Sequence, residues 1–348
     1  MKLSYVPYSL QFKHPFGLSY GSRTTTEVVY IKLEYGGFIG YGEAALPPYL
    51  NETQTSVIDF LKKASAVLKD CKLPFVPEKI INIIDTIDIN NNAAKACIDI
   101  ALHDLLGKYL NKPVYALLDL EKPEPKNTSV TISIGELNLI PEKIKELEDY
   151  NILKIKLGNK NDKEIIERIR AYTNKPLVVD VNQGWADKYM ALEMIEWLSM
   201  KNVLFIEQPL AKNNFEEMAW LNEHSPITII ADESMQRFSD MDKITGCFKG
   251  INLKLMKCAG LFEAVKIIHY AKQKGLKINV GCMSESSCGI AAAAQLMQYV
   301  DWIDLDGPLL IKNNPFAGVD FKAGKLTINN TQGTGVELIN KELNFTTV

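Results

Sequence analysis

Eight short apolar stretches recur along the last two thirds of the chain at intervals of about 25 residues, and this spacing constrains the fold strongly. Each stretch has the length and composition of a buried β-strand. They begin near Val130, Ile152, Leu177, Val203, Ile227, Ile251, Ile278 and Trp302. Amphipathic segments typical of helices, such as residues 162–172, lie between them. Because about 25 residues make one strand and one helix, the repeat predicts an α/β fold, a (β/α)8-type barrel or modified TIM barrel.

A different pattern precedes the barrel. Residues 1–45 alternate as strands do, and two apolar runs flank Gly36-Gly37, which is a strong hairpin signal. Between residues 53 and 118 the periodicity becomes helical. The sequence therefore predicts an α+β capping domain in front of the barrel.

The charged, proline-containing stretch 121–126 is typical of a domain boundary. We accordingly predict an N-terminal capping domain at 1–122 and the catalytic barrel at 123–311. The C-terminal segment, 312–348, is expected to return to the capping domain.

Bulk properties agree with a soluble enzyme and argue against a nucleic-acid-binding or membrane protein. The 348 residues carry a net charge of -3 and no basic stripe, so nucleic acid is not expected as a partner. No apolar run approaches the roughly 18 residues of a membrane span, and residues 1–8 do not resemble a signal peptide. The six cysteines form no Cys-x-x-Cys pair, so neither zinc nor a disulfide framework is indicated. A cytoplasmic location is expected.

Charged residues stand at the ends of five successive predicted strands. The first carries Lys154 and Lys156, which alternation places on one face, and the last carries Lys254. The three strands between them end in Asp180, Glu207 and Asp232. A buried charge is costly unless it is paired or bound to a metal. Because barrel enzymes build their sites at the carboxyl ends of the strands, this series predicts an active site.

The residue types in this series suggest a particular chemistry. Three carboxylates without histidine or cysteine suit a hard cation, most simply Mg²⁺. The lysines come from the strands before and after the carboxylates, so they are expected to flank the metal from opposite sides. Two such bases suit abstraction of a proton α to a carboxylate, with Mg²⁺ stabilising the enediolate.

The same motifs resemble those of the enolase superfamily, in its muconate-lactonizing-enzyme subgroup. The resemblance covers nearly the whole chain, including Gly40-Tyr41-Gly42-Glu43 in the capping domain. It implies that Asp180, Glu207 and Asp232 bind Mg²⁺, that Lys156 and Lys254 are the acid/base pair, and that Lys154 helps to hold the substrate carboxylate. Branches of the superfamily with a histidine base are not expected, because no histidine stands at a strand end; the histidines are His14, His103, His224 and His269.

The eighth strand narrows the resemblance to the dipeptide epimerases. Its Asp304 and Asp306 share one face, and an Asp-x-Asp pair at this place implies capture of the substrate α-ammonium group. The resemblance also implies substrate contacts from Thr131 and Cys282. Arg23, in a capping-domain loop, matches a position that holds a side-chain carboxylate in alanyl-glutamate epimerases. The expected activity is Mg²⁺-dependent epimerisation of L-Ala-D/L-Glu at the second residue.

Alternatives remain for the reaction and for single residues. The same site suits a lyase or cycloisomerase of the subgroup, such as o-succinylbenzoate synthase or muconate cycloisomerase, and a barrel that binds ligands without chemistry is a third interpretation. Lys257 is expected to be a solvated charge at the barrel rim. Asp304, Asp306, Cys282 and Arg23 each have a structural interpretation as capping, packing or surface residues. Assembly into a homo-oligomer is implied by the resemblance alone.

Overall fold

The computed structural model describes residues 1–18, 21–132 and 137–348. The chain begins with an antiparallel sheet of three consecutive strands, β1 (Lys2–Leu18), β2 (Gly21–Tyr35) and β3 (Phe38–Leu46). The predicted hairpin joins β2 to β3, and Gly36 and Gly37 have φ values of 58° and 85°. Positive φ at both central residues is the requirement of a type I′ turn, which explains why two glycines stand there.

Four helices follow the sheet: α1 (Gln54–Lys69), α2 (Pro77–Asp85), α3 (Asn92–Leu110) and α4 (Val114–Leu117). Helix α3 is buried over most of its length and packs on β3. A Cβ atom on Gly42 would lie 2.0 Å from the carbonyl oxygen of Cys97 in α3. The Gly-x-Gly pattern of β3 therefore permits a close backbone contact between sheet and helix.

The barrel prediction is confirmed. After the short β4 (Lys126–Asn127), eight parallel strands run in sequence order, and each predicted start lies within one residue of the observed one. The strands are β5 (Ser129–Ile132), β6 (Ile152–Lys156), β7 (Leu177–Asp180), β8 (Val203–Glu207), β9 (Thr228–Ala231), β10 (Gly250–Leu253), β11 (Lys277–Gly281) and β12 (Trp302–Asp304). A parallel bridge from Thr128 to Ile303 closes the barrel between its first and last strands.

Among the described residues, one α-helix follows each of the eight barrel strands. They are α5 (Ile140–Glu146), α6 (Asp162–Arg170), α7 (Lys188–Ser199), α8 (Phe215–His224), α9 (Met241–Ile244), α10 (Leu261–Gln273), α11 (Ser287–Ala294) and α12 (Gly307–Leu310). Helix α7 shows how the sequence sets their starts: the Asp187 side chain accepts hydrogen bonds from the backbone N–H groups of Tyr189 and Met190.

The barrel interior has two layers. At the amino end of the strands, Val178, Phe205 and Ile230 form a small apolar cluster against which Trp302 packs, with ring centroids of Phe205 and Trp302 4.7 Å apart. The residues two positions further along these strands are Asp180, Glu207, Asp232 and Asp304. Strand alternation therefore places a charged layer directly above an apolar plug.

The C-terminal segment forms small sheets along the molecule. Its strands are β13 (Phe316–Ala317), β14 (Val319–Lys322), β15 (Lys325–Ile328), β16 (Glu337–Leu338) and β17 (Thr346–Thr347). Strand β17 pairs with β1, and β15 pairs with β4. The proposed domain boundaries at 122 and 311 remain a prediction. No helix among the described residues is long and apolar enough to cross a membrane.

Asp104 in α3 joins three parts of the chain and provides a test of this arrangement. Its fully buried carboxylate accepts hydrogen bonds from the backbone N–H groups of Tyr41 and Thr334 and pairs with Lys108 at 2.7 Å. We expect Asp104→Ala to lower the free energy of unfolding by about 3–5 kcal/mol, because it leaves buried donors and an ammonium group unpaired. Chemical denaturation measures this loss.

The exposed Asp70→Ala is the matched control and should change stability by less than about 0.5 kcal/mol. Equal stability of the two variants would contradict the structural role given to Asp104.

Candidate active site

The charged residues of the sequence series converge at the carboxyl ends of the barrel strands. Lys156 on β6, Asp180 on β7 and Glu207 on β8 stand at equivalent levels, because Lys156 pairs in register with Asp180 and Asp180 with Glu207. Asp232 directly follows β9, and Lys254 directly follows β10. Strands β6 and β10 are four positions apart in an eight-stranded barrel, so Lys156 and Lys254 enter from opposite sides.

Lys154 is the centre of the network. Its Nζ atom lies 2.7 Å from Asp304 Oδ2, 2.9 Å from Glu207 Oε2 and 3.1 Å from Asp180 Oδ2. Burial alone would lower the pKa of Lys154, but these carboxylates outweigh it and hold the pKa well above its usual value. Lys154 is therefore an ammonium group that ties four strands of the barrel together.

Lys156 and Asp180 form a direct pair. The Lys156 Nζ atom lies 2.5 Å from Asp180 Oδ2 and also donates to Asn182 Oδ1 at 3.1 Å. Burial opposes ionisation of Asp180, but Lys156 and Lys154 lower the pKa of its carboxyl below the usual range. Asn182 has a φ of 46°, a left-handed conformation that turns the chain sharply after β7.

Glu207 is the least stable anion among the three predicted metal ligands. Burial and then the charges of Asp180 and Asp232 raise the pKa of Glu207 to about 8, although Lys154 and Lys254 oppose them. Its Oε1 atom accepts a hydrogen bond from Asn252 Nδ2 at 2.7 Å. Three carboxyl groups share a small volume here, so an additional positive charge would stabilise them all.

Asp232 contacts two lysines, Lys254 and Lys257, and the position of Lys257 differs from the one predicted. Lys254 Nζ lies 2.8 Å from Asp232 Oδ2, and Lys257 Nζ lies 2.5 Å from Asp232 Oδ1. Burial would raise the pKa of Asp232, but both lysines outweigh it and hold the pKa well below its usual value. Lys257 is only 3% exposed, so the prediction of a solvated rim charge is wrong.

The turn after β10 explains this position of Lys257. The Lys257 N–H donates to the Lys254 carbonyl three residues back, which brings both side chains to the same carboxylate. The Lys257 Nζ also donates to the carbonyl oxygens of Asp232 and Asn252. All three protons of the ammonium group therefore have acceptors.

Asp304 and Asp306 lie together at the end of β12, but their surroundings differ. Asp304 Oδ1 accepts from Ser129 Oγ at 2.6 Å and its Oδ2 pairs with Lys154. Asp306 Oδ2 accepts from the Thr131 N–H at 2.8 Å. Burial and then the charge of Asp304 raise the pKa of Asp306 to about 6, which indicates a carboxylate that would gain from a cation.

Cys282 and Arg23 complete the set of predicted residues. The Cys282 Sγ atom lies 4.0 Å from Asp306 Oδ1, and burial raises the pKa of this thiol well above its usual value. Arg23 donates hydrogen bonds to Ser284 Oγ and Thr26 Oγ1, both at 3.4 Å. Its Cζ atom lies over the Phe12 ring, 5.5 Å from the ring centroid. Arg23 belongs to β2 rather than to a loop, because the pairing between β1 and β2 includes this residue.

One cavity connects these groups. Its described lining contains residues of the capping domain and of the barrel: Arg23, Pro47, Tyr49, Thr131, Lys154, Lys156, Asn182, Lys254, Cys282, Met283, Ser284, Asp304, Asp306 and Leu310. A larger cleft beside it, which includes Phe12, Leu139 and Tyr150, shares only Thr131 and Leu310 with this list and carries none of the strand-end lysines. We place the chemistry in the smaller cavity, because the ionisable groups converge there.

The three predicted metal ligands lie beneath the lysines and are not among the described residues that line the cavity. Within the described ranges, no three aspartate, glutamate, cysteine or histidine side chains stand in the geometry of an assembled metal site. The physical reason is that Lys154, Lys156, Lys254 and Lys257 each lie against one or more of these carboxylates.

Several contacting residues were missed from the sequence. Asn252 lies two residues before Lys254 on β10, so alternation could have placed it inside the barrel. Asn182 contacts both Lys156 and Glu233. Tyr49 lines the cavity from a short 3-10 helix (Pro48–Leu50), and Met283 and Ser284 line it from a loop. The sequence pattern holds no positional signal for either segment.

Comparisons with known proteins agree with this geometry. The family profile of the mandelate racemase/muconate lactonizing enzyme N-terminal domain matches residues 3–119, and the enolase C-terminal domain-like profile matches residues 140–342. An L-Ala-D/L-Glu epimerase of Bacteroides thetaiotaomicron is 47% identical over 97% of this chain and 88% of the relative. An L-Ala-D/L-amino acid epimerase of Flavobacterium johnsoniae is 35% identical over 97% of this chain and 100% of the relative.

Solved structures show the same likeness. The N-succinyl Arg/Lys racemase of Bacillus cereus has a TM-score of 0.93 at 29% identity, with 100% of both chains covered. A dipeptide epimerase of Enterococcus faecalis, complexed with Mg and the dipeptide L-Leu-L-Tyr, has a TM-score of 0.90 at 28% identity. It covers 97% of this chain and 99% of that one.

The buried position of Lys257 leads to a stability prediction. We expect Lys257→Met to lower the free energy of unfolding by about 3 kcal/mol, because Asp232 loses one of its two cations and two buried carbonyl groups lose a donor. Urea denaturation measures the change. The control is Lys249→Met, since Lys249 is exposed and its Nζ contacts one carbonyl oxygen at 3.2 Å. If both variants matched the parent protein, Lys257 would not be the internal counter-ion of Asp232.

Proposed function

This chain belongs to the mandelate racemase/muconate lactonizing enzyme family of enolase-like proteins, and from that premise we propose that it is a Mg²⁺-dependent dipeptide epimerase. The substrate that we propose is L-Ala-D/L-Glu, which the 47% identical relative is named for. The reaction inverts the α-carbon of the second residue by transfer of one proton away from that carbon and another onto its opposite face.

The observation that carries this proposal is the opposed pair of lysines. Lys156 and Lys254 line one cavity from strands on opposite sides of the barrel, with three buried carboxyl groups between those strands. A carbon held between the two Nζ atoms would have one amine on each face. Inversion requires this arrangement, because the proton must leave one face and return to the other.

The carboxyl groups of Asp180, Glu207 and Asp232 fit a magnesium ion. They offer oxygen donors only, all three are buried, and the pKa of Glu207 rises to about 8 because burial and the two other carboxylates disfavour a third negative charge. Mg²⁺ bound by these residues would supply positive charge that stabilises the substrate carboxylate as the α-proton leaves. It would also neutralise negative charge on the three carboxylates, which pair with lysines in this structure.

Each residue around the ion has a role that follows from its position. Lys156 and Lys254 alternate as base and acid at Nζ, depending on which epimer is bound. To Lys154, whose Nζ contacts three carboxylates of the protein, we assign the task of holding the substrate carboxylate. Arg23, Pro47 and Tyr49 of the capping domain form part of the cavity wall above these groups.

Two groups are proposed to select a dipeptide. Asp306, supported by Asp304, faces the cavity with a carboxylate whose pKa of about 6 would fall beside an α-ammonium group. Arg23 reaches the cavity from the capping domain, and its guanidinium suits the side-chain carboxylate of a second-residue glutamate. Thr131 and Cys282 line the same cavity next to Asp306. We also propose a cytoplasmic location, because the six cysteines are free thiols.

The test of the function is α-proton exchange in D₂O. The enzyme with Mg²⁺ is incubated with a panel of L-Ala-L-Xaa dipeptides, the o-succinylbenzoate precursor and muconate, and exchange is followed by NMR. We expect inversion and deuterium incorporation at the second residue, fastest with L-Ala-L-Glu. Preferred exchange of apolar or cationic dipeptides would remove Arg23 from the substrate contacts. Turnover of the o-succinylbenzoate precursor or of muconate, without proton exchange in any dipeptide, would disprove the epimerase and indicate the lyase or cycloisomerase reaction instead.

The lysine variants separate the two half-reactions. Lys156→Ala and Lys254→Ala should each lose inversion by about 10²–10⁴-fold, because one acid/base group is missing. Each variant should still exchange the α-proton of one epimer, and the two variants should prefer opposite epimers. The exposed Lys249→Ala is the control with unchanged rates. Full inversion by Lys254→Ala would disprove the two-base mechanism.

The carboxyl group of Asp306 leads to a pH prediction. Its pKa of about 6 means that it is ionised above this pH and neutral below it, so a neutral Asp306 no longer attracts the ammonium group. We expect kcat/KM for L-Ala-L-Glu to fall as the pH drops through about 6, where neither the carboxyl groups nor the amino group of a free dipeptide titrates. Asp306→Asn should have a lower kcat/KM without this acid limb. An identical limb in both proteins would assign it to another group.

A further inference from the structure

Two carboxyl groups meet at the seam between the capping domain and the barrel, outside the network of the catalytic lysines. Glu43 lies on β3, and Glu285 lies in the loop between β11 and α11. Glu43 is 0% exposed and Glu285 is 1% exposed. Throughout residues 1–18, 21–132 and 137–348, no lysine, arginine or histidine forms an ion pair with either one. Two buried anions without a counter-ion would be very costly.

Glu43 has the surroundings of a carboxylate. It accepts hydrogen bonds from the backbone N–H of Ser286 at 2.9 Å, the Ser286 hydroxyl at 2.6 Å and the backbone N–H of Gly289 at 2.9 Å. These donors belong to the first turn of α11, where the helix dipole also favours negative charge. Burial raises the pKa of Glu43, but these three donors oppose the rise, whereas Glu285 has one donor; Glu43 is therefore the member of the pair that carries the charge.

Glu285 has the surroundings of a neutral acid. Its Oε1 atom accepts one hydrogen bond, from the backbone N–H of Met283 at 2.7 Å, and its buried Oε2 atom has no partner among the described residues. A Cβ atom on Gly289 would lie 2.2 Å from Glu285 Oε2 and 3.2 Å from Glu43 Oε2. Both carboxyl groups therefore face the same point of the α11 backbone, and the second one lacks the donors that would stabilise a charge.

The loop that Glu285 closes forms a wall of the active-site cavity. Cys282, Met283 and Ser284 line that cavity, and the hydrogen bond to the Met283 N–H folds the loop back on itself. Met283 Sδ also accepts a hydrogen bond from the Tyr49 hydroxyl at 2.7 Å, and Ser284 Oγ accepts one from the Arg23 guanidinium at 3.4 Å. The backbone of Glu285 packs on Gly307, where a Cβ atom would lie 2.5 Å from the Glu285 carbonyl oxygen.

We propose that burial and the charge of Glu43 together hold Glu285 as a protonated, neutral carboxylic acid, and that in this state it is a positioning residue for the cavity wall at residues 282–284. The effect on catalysis rests on the proposed epimerase activity, whereas the protonation state of Glu285 does not. Loss of the proton would place a second anion against Glu43, and the loop would have to move away from it.

The groups that face the pair favour one proton rather than none. Lys254 is the one cation whose charge acts on Glu285 from the described residues, and it does so without direct contact. Around Glu43 stand Tyr30 of β2, Cys97 of α3 and Cys288 of α11, and burial raises the pKa of all three, so they are neutral. Cys282 is a neutral thiol in the same loop. Burial and then Glu43 raise the pKa of Glu285 to about 8.

Infrared difference spectroscopy tests the protonation state directly. The Mg²⁺-loaded protein and Glu285→Gln are titrated from pH 6 to about 10, and the carboxyl signal that the variant lacks is followed. We expect a protonated carboxyl at neutral pH that converts to carboxylate with a midpoint near pH 8. The exposed Glu337→Gln is the control and should retain this signal. A difference spectrum that shows only carboxylate at neutral pH would overturn the proposal.

Unfolding supplies a second measurement that needs no activity. A glutamate in an unfolded chain has a pKa of about 4.3, so between this pH and about 8 the folded protein would retain one proton more than the unfolded chain. Stability of the parent protein relative to Glu285→Gln should therefore fall as the pH rises through this window and become constant above it. A difference that is independent of pH would contradict a neutral Glu285.

Kinetics test the positioning role. If only the protonated form holds the cavity wall, KM for the dipeptide should rise about tenfold from pH 7 to pH 9 in the parent protein, with a smaller change in kcat. Glu285→Gln, which keeps a neutral side chain, should lack this rise and should be more active than Glu285→Ala. Identical KM profiles of the parent and Glu285→Gln would overturn the positioning role. The spectroscopic signal without activity on any dipeptide would refute the proposed function and support the protonation of Glu285.

Discussion

Charge balance inside the barrel is the constraint on which the rest of the site depends. Strand alternation places acids and lysines above an apolar plug, where an unpaired charge could not persist. Lys154 meets this constraint by contacting Asp180, Glu207 and Asp304 together. Lys257 does the same for Asp232 without lining the cavity. In the proposed mechanism, Lys156 and Lys254 exchange protons while Lys154 and Lys257 remain paired with the carboxylates of the network.

The capping domain contributes to this site through helix ends as well as through cavity walls. Glu43 accepts hydrogen bonds from the start of α11, and Asp99 of α3 accepts from the backbone N–H groups of Leu261 and Phe262 at the start of α10. Helix α10 follows the strand and turn that carry Lys254, and α11 follows the loop that carries Cys282. Carboxylates of the capping domain thus stabilise the dipoles of two barrel helices. The positions of the segments that carry Lys254 and Cys282 therefore depend on these contacts between the two domains.

The sequence predicted the parts of this structure that depend on local periodicity. The strand starts were found because a period of two and a repeat of about 25 residues are visible in any single chain. Lys257 was placed wrongly because the chain leaves β10 in a tight turn, to which strand alternation does not apply. Glu43 and Glu285 are 242 positions apart, and no local pattern reports that two such residues share one buried site. Arg23 was assigned to a loop because hairpin length depends on pairing between strands.

The charges of Asp306, of the lysines and of Arg23 around the cavity also favour an epimerase over a lyase on energetic grounds. Asp304 is satisfied by Ser129 and Lys154, whereas Asp306 accepts from the backbone and side chain of Thr131 and forms no ion pair with a described lysine or arginine. A dipeptide brings an ammonium group to this carboxylate and carboxylates to the lysines and Arg23, so each buried charge keeps a partner when the substrate enters. A dianionic lyase substrate would leave Asp306 beside another anion or force it to take up a proton. In the proposed function, a carboxylate that lacks a counter-ion without substrate selects against the competing reaction.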